Sequence, residues 1–228
     1  MRVTPCLLTW NEIDGCRHGV PRLPVDQFEE VYAIDGGSTD GTCEFLRSAG
    51  IPVHRQDLPG YNGAYVSAFR RCTTDAVLMF HPKGGVDPAT VLHVRPLLEQ
   101  GADLVIASRS IAGGANEEDG GLLKPRRWFV QALGLAASLV WRREGYRIRD
   151  VLHGYRAMRR DAFFAISPLT TGVSMDLEMV VRSYKKRLRR VEFPVQERPR
   201  LGGQTHFKAL STGSKLLRYF WFELRRSD

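Results

Sequence analysis

From residue 31 to residue 107 the chain alternates short apolar runs with helical patterns. Apolar runs cover 31–35, 51–55, 76–80 and 103–107; the helical stretches between them cover 41–49, 62–72 and 88–100. Strands and helices alternating at this spacing predict an α/β fold, with a mostly parallel central sheet, right-handed crossovers and flanking helices. An earlier apolar run, Val3-Thr-Pro-Cys-Leu-Leu8, contains Pro5. Proline cannot donate to a ladder, so the first strand is expected to be short or kinked there.

The most informative joint is Val31-Tyr-Ala-Ile-Asp-Gly-Gly-Ser-Thr-Asp-Gly-Thr42. A strand ends on a carboxylate and turns through two glycines into a helix, the point at which an open α/β sheet holds a nucleotide. Asp35 can accept hydrogen bonds from a base or ribose, Gly36 and Gly37 permit close backbone approach, and Ser38, Thr39 and Asp40 can cap the helix. The same residues also suit an ordinary strand-turn-helix joint, and the motif alone does not separate the two.

With 228 residues and 43% apolar content, the chain can bury one large core. Met1-Arg2 leads directly into an apolar strand without the pattern of a signal peptide, so a cytoplasmic location is expected. Cys6, Cys16, Cys43 and Cys72 have neither disulfide-framework nor zinc spacing and read as reduced thiols. A net charge of +8 favours anionic partners such as nucleic acid, a membrane surface or a phosphate-bearing substrate. No helix-turn-helix, zinc finger or aromatic single-strand platform is legible, which argues against nucleic acid.

Beyond Arg109 the pattern changes. A glycine-rich acidic stretch, 113–121, reads as a mobile lid. The run from Trp128 to Trp141 is apolar nearly all round and flanked by arginine pairs. It is too short to span a bilayer and reads first as a buried core helix, second as a helix lying in a membrane interface. A final helix over 212–225 carries Leu216, Leu217, Phe220, Trp221 and Leu224, read as a core-facing stripe that also suits a membrane surface.

Several segments in order resemble one family: Leu8-Thr-Trp-Asn-Glu12, the joint from Ile34 to Thr42, Gly60-Tyr-Asn-Gly-Ala64, Ala102-Asp-Leu-Val-Ile-Ala-Ser-Arg109, Asp150-Val-Leu-His-Gly-Tyr-Arg156 and Arg200-Leu-Gly-Gly-Gln-Thr-His206. Together they resemble family 2 glycosyltransferases of the GT-A (nucleotide-diphospho-sugar transferase) fold, in particular the dolichyl- or polyprenyl-phosphate sugar transferases. The resemblance implies one GT-A domain over 1–228, with a nucleotide-binding half (1–110) and an acceptor-binding half (111–228) carrying the interfacial helices. It implies a UDP- or GDP-linked sugar bound by Thr9, Trp10, Asn11, Glu12, Asp35, Gly37, Ser38, Asn62 and His81, with Arg200 and His206 closing over the diphosphate. The family usually has lysine where this chain has His206. Arg109 resembles the arginine that meets the acceptor phosphate, with Arg126 or Arg127 as a second contact; a forked guanidinium suits phosphate oxygens. An ion pair is the plainer reading of Arg109.

In one place the chain departs from the family. Members hold Mg2+ or Mn2+ with an Asp-x-Asp triplet, and counting back from Asp87-Pro88 the triplet here is His81-Pro82-Lys83. Three readings follow: Lys83 supplies the charge in place of the metal; a cation still binds through Asp87, His81 and substrate phosphates; or the chain binds nucleotide-sugar without turning it over. An ionised phosphate acceptor needs no base, whereas a hydroxyl acceptor needs a carboxylate, for which Asp176 and Glu178 are the candidates. Both also suit the dipole of the helix they begin. If the acceptor is a polyprenyl phosphate, a peripheral position on the cytoplasmic face of the membrane is expected.

Overall fold

In the computed structural model, which describes residues 1–116, 125–199, 201 and 209–226, the apolar runs join in one sheet. Its strands are β1 (Val3–Thr9), β2 (Tyr32–Asp35), β3 (Val53–Arg55), β4 (Ala76–Phe80), β5 (Leu104–Ser108), β6 (Arg156–Arg159) and β7 (Arg190–Pro194). Their order is β3-β2-β1-β4-β6-β5-β7. All neighbours are parallel except β6, which runs antiparallel to both β4 and β5. Eight helices are described: α1 (Ile13–Gly19), α2 (Thr42–Ser48), α3 (Gly60–Arg71), α4 (Val94–Glu99), α5 (Pro125–Trp141), α6 (Arg160–Ala165), α7 (Met175–Lys185) and α8 (Ala209–Arg225).

Strand side chains alternate between faces, and here both faces are covered. Cys6, Leu8, Val77, Met79, Leu104 and Ile106 pack toward α3, α5, α6, α7 and α8. Leu7, Ala76, Leu78, Phe80, Val105 and Ala107 pack toward α1, α2 and α4. This explains why the strands read as continuous apolar runs.

The local expectation about Pro5 is overturned. β1 is fully buried and pairs with β4 from Val3 to Leu7, Pro5 lying opposite Leu78. Its ladder with β2 begins only at Cys6, so Pro5 stands at the end of that ladder. The helix expected over 88–100 is divided: Pro88–His93 is a 3-10 turn and α4 starts at Val94. Pro96 then falls in the first turn of α4, where a missing N–H costs no helical bond.

Helix α5 is not a wholly buried helix. It buries Leu133, Gly134, Ala137, Ser138 and Trp141 while leaving Trp128 52% and Leu139 72% exposed. The stripe expected on α8 is also displaced. Leu216, Tyr219 and Glu223 are buried, whereas Leu217, Trp221 and Leu224 face outward. Among the described residues, no helix is long and apolar enough to cross a membrane.

Helix α8 is tied to α7 by buried charges. Arg182 reaches Glu178 at 2.6 Å and Glu223 at 2.7 Å, and Lys185 reaches Glu223 at 3.0 Å.

Candidate active site

The carboxyl ends of β1 and β2 lie side by side, with Thr9 paired to Asp35. The Asp35 carboxylate organises its own turn. It accepts the N–H groups of Gly37 (2.8 Å) and Ser38 (2.7 Å) and the hydroxyls of Ser38 (2.6 Å) and Thr9 (2.9 Å). Burial opposes its ionisation, but these donors win and hold it below the usual aspartate value. Gly37, at φ +101°, takes a backbone conformation that a side chain would strain.

The loop after β1 is stitched to this turn. Asn11 donates its backbone N–H to the Ser38 hydroxyl at 2.8 Å, and its side-chain oxygen accepts from Thr39 N–H at 2.8 Å. The N–H groups of Glu12 and Ile13 meet Thr42 and Asp40. Thr9, Trp10, Asn11, Glu12, Asp35, Gly37 and Ser38 are thus gathered at one edge of the sheet, with half of Trp10 exposed against Gly36. Asn62 is not part of this edge. Fully buried, its amide oxygen accepts Met175 N–H at 3.0 Å and its NH2 donates to the Ser174 hydroxyl at 3.3 Å, fastening α3 to the start of α7.

A cavity of about 760 Å³ opens beyond the ends of β4 and β5. Its floor carries Tyr61, His81, Lys83, Arg109, Asp150, His153, Asp176 and Glu197. Its walls come from the first turns of α5, including Arg126, Arg127, Phe129 and Val130, and from Leu216 and Leu217 of α8. This is the size and mixed character of a small-molecule site.

Arg109 projects from the end of β5 into a charge network. Its Nε and Nη2 donate to the two Asp150 oxygens at 2.8 and 2.9 Å, and its Nη1 donates to Glu197 at 2.8 Å. Burial disfavours the guanidinium charge, but the two carboxylates outweigh it and raise the Arg109 pKa. Burial disfavours the Asp150 charge as well, yet Arg109 holds that carboxyl well below the usual range.

Asp176 accepts from the hydroxyls of Tyr61 (2.7 Å) and Tyr65 (3.0 Å) and lies 3.1 Å from the wholly buried Arg156 guanidinium. Glu178, expected beside it, faces elsewhere. Residues two apart on a helix point in nearly opposite directions, and Glu178 accepts Leu169 N–H at 2.7 Å and pairs with Arg182, away from the cavity. Sequence reasoning also missed Tyr61, Tyr65, Arg156, His153 and Glu197. The i, i+4 spacing of the two tyrosines at the start of α3 was the available signal.

His81 stacks on Tyr61 with ring centroids 6.0 Å apart. Burial, reinforced by Lys83, His153 and Arg156, holds its pKa well below the usual 6.5, so the imidazole is neutral near pH 7. Its buried Nε2 has no hydrogen-bond partner among the described residues. A Cβ at Gly154 would lie 2.5 Å from that nitrogen and 3.0 Å from the Tyr61 hydroxyl. Gly154→Ala is therefore expected to overpack the site by about 1–3 kcal/mol, seen as a lower denaturant midpoint at unchanged m-value.

Among the described residues, the donor set does not fit a divalent cation. Among the described residues, no group of three His, Cys, Asp or Glu side chains converges on a common point. Asp87 caps the 3-10 turn by accepting Ala89 N–H at 3.1 Å and does not line the cavity. The cavity carboxylates Asp150, Asp176 and Glu197 each face a guanidinium. Arg200, His206 and the acidic part of the expected lid, 117–121, lie outside the described residues.

Comparison with known proteins agrees with this geometry. The family described as Glycosyl transferase family 2 matches residues 3–166. Glycosyltransferase AglJ of Haloferax volcanii is 28% identical over 201 residues, covering 87% of this chain and 64% of that protein. Undecaprenyl-phosphate mannosyltransferase of Micrococcus luteus is 30% identical over 211 residues, covering 86% of this chain and 83% of that protein. Glucosyl-3-phosphoglycerate synthase from Mycobacterium tuberculosis, solved with phosphoglyceric acid, superposes with a TM-score of 0.76 at 17% identity, covering 100% of this chain and 81% of that one. The same enzyme solved with Mn2+, UDP-glucose and glycerol 3-phosphate gives 0.74 at 16% identity, with the same coverage. The sheet and its helices are therefore those of a GT-A fold.

Proposed function

The chain belongs to glycosyl transferase family 2, and from that premise we propose that it is an inverting transferase moving a sugar from a UDP- or GDP-linked donor to a polyprenyl phosphate. One observation carries the acceptor class. Among the described residues, each carboxylate lining the cavity is already engaged by a guanidinium, so none of them stands ready as a general base. An acceptor that arrives already ionised needs none. The apolar wall of Phe129, Val130, Leu216 and Leu217 suits a prenyl chain, and Arg109, Arg126 and Arg127 suit its phosphate. The Micrococcus relative is named for undecaprenyl phosphate.

In this reading residues 1–110 hold the donor, with its nucleoside over the joined ends of β1 and β2, and residues 111–228 hold the acceptor together with Arg109 from the end of β5. A phosphate oxygen bonds to the anomeric carbon as the bond from that carbon to the diphosphate oxygen breaks, inverting the centre. The leaving diphosphate takes up the electron pair, and Lys83 stabilises the charge that develops there. The family's Mg2+ or Mn2+ is assigned no step, because the described donor set does not suit it. Positioning and fixed positive charge supply the rate.

The outward faces of α5 and α8 present Trp128, Leu139, Trp221 and Leu224 beside Arg218 and Arg225. Aromatic and aliphatic groups with basic neighbours suit an anionic bilayer surface, which supports a peripheral position on the cytoplasmic face. Sugar transfer to undecaprenyl phosphate in anionic vesicles, followed with a panel of labelled UDP- and GDP-sugars, tests the reading. Transfer to soluble alcohols but not to lipid phosphate would favour Asp176 as a base instead; donor binding without transfer to either would make the chain a nucleotide-sugar-binding protein.

A further inference from the structure

We propose that Glu197 is a displaceable guard on the acceptor-phosphate site: its carboxylate occupies the Arg109 guanidinium in the free protein, and an acceptor phosphate enters by displacing it. The proposal rests on the phosphate-acceptor reading above and extends it to a residue which that reading leaves unused.

Arg109 carries two carboxylates, and they are not equivalent. The Asp150 side chain is wholly buried, meets the guanidinium with both oxygens and also accepts Arg109 backbone N–H at 3.0 Å. The backbone N–H of Asp150 is itself held by Glu192 at 2.9 Å. Glu197 is 20% exposed and meets the guanidinium through one oxygen, Nη1 to Oε2 at 2.8 Å. Its other oxygen stands 3.9 Å from His153 Nε2. Asp150 is thus the fixed partner and Glu197 the exchangeable one.

The local charge balance points the same way. Arg109 itself faces two carboxylates with one guanidinium, while Lys83, Arg126 and Arg127 line the same cavity and draw an anion towards it. A like charge held there repels an incoming anion until it moves. A neutral alcohol cannot take the guanidinium from a carboxylate, and a carboxylate ligand would replace like with like. A phosphate monoester brings more charge and more acceptor oxygens than the group it replaces, so exchange favours it.

The backbone allows such an exchange without unfolding the segment. Val195 N–H bonds to Ser108 O at 3.0 Å, Glu197 N–H to Ala115 O at 2.9 Å and Arg198 N–H to Gly85 O at 2.8 Å. Leu201 N–H bonds to Lys83 O at 3.2 Å. The main chain is therefore pinned to the ends of both β4 and β5, and the Glu197 side chain can rotate while the strap over the Lys83 loop stays in place.

The test is a titration of the whole chain with farnesyl monophosphate and, separately, with farnesol, comparing the unmodified protein with Glu197→Gln and Glu197→Asp. Glutamine keeps the shape and removes the charge, and aspartate shortens the reach to Arg109. Glu197→Gln is expected to bind farnesyl monophosphate about tenfold more tightly, the effect of removing one nearby like charge, with farnesol affinity unchanged. Glu197→Asp is expected to fall between the two proteins and provides the comparison if the glutamine variant does not fold. Equal or weaker phosphate binding in a folded variant would overturn the proposal and make Glu197 a support for Arg109, leaving the phosphate-acceptor reading standing. No phosphate binding by any of the proteins would overturn both.

Discussion

Lys83→Ala is expected to slow sugar transfer by about 10²–10³-fold, the usual cost of removing one preorganised group that stabilises charge developing in a transition state. His81-Pro82-Lys83 stands where the family has its carboxylate triplet. A neutral, stacked imidazole stands at the first position and a cation at the third. Lys83 lines the cavity, and its loop is held from two sides. Its N–H bonds to His81 O at 2.8 Å, and its carbonyl accepts from Leu201. A Cβ on Gly15 of α1 would lie 1.9 Å from Pro82 O, so α1 presses directly on the same loop. The alanine variant should keep its melting temperature and donor affinity while kcat falls, a division that stopped-flow binding and steady-state turnover would measure separately. Equal loss of binding and turnover would mean that Lys83 only holds the donor.

Arg182→Ala is expected to destabilise the fold by about 3–5 kcal/mol, because it leaves Glu178 and Glu223 buried without the guanidinium between them. All three side chains are nearly inaccessible. Burial pushes the Glu178 carboxyl up to about 7 despite Arg182, whereas the Arg182 and Lys185 hydrogen bonds overcome burial and lower that of Glu223. The loss should appear in urea unfolding as a lower midpoint, with α8 separating from α7 before the sheet melts.

Glu178 also has a pH signature of definite sign. Its ordinary value is 4.5 and its value in the fold about 7, so the native state binds the extra proton between them. The stability it contributes is complete below 4.5 and declines as pH rises toward 7. The difference in unfolding free energy between the native protein and Glu178→Gln should therefore change across that window and level off above it. A difference that is flat with pH would mean that Glu178 ionises normally in the fold.

The sheet was legible because strands covered on both faces leave uninterrupted apolar runs, such as Ala76-Val-Leu-Met-Phe80. Strand β6 was not, since Arg-Ala-Met-Arg reads as surface; only the fold shows the Arg156 guanidinium bonded to the carbonyls of His153 and Asp176. Helix α1 was hidden by two glycines in seven residues, one of which is there because Pro82 leaves no room for a side chain. The cluster at the ends of β1 and β2 emerged from local motifs, since its members are close in sequence to the strands that carry them. Glu197 and His153 were invisible for the opposite reason. Glu197 meets Arg109 across 88 residues and the His153 ring, through Nδ1, meets the Ala107 carbonyl 46 residues away, and no local pattern encodes such a meeting. Of the two carboxylates named as candidates, Asp176 lines the cavity and Glu178 does not, because a motif read as a string ignores the helical period that turns the two apart.

The most direct test of the account is the initial rate of sugar transfer to undecaprenyl phosphate in anionic vesicles, measured in metal-free buffer with EDTA and again with saturating Mg2+ or Mn2+. Equal rates, lowered by about 10²–10³-fold in all three conditions by Lys83→Ala, are the predicted result. Transfer that stops in EDTA and returns with either metal would contradict it and give the diphosphate back to a cation.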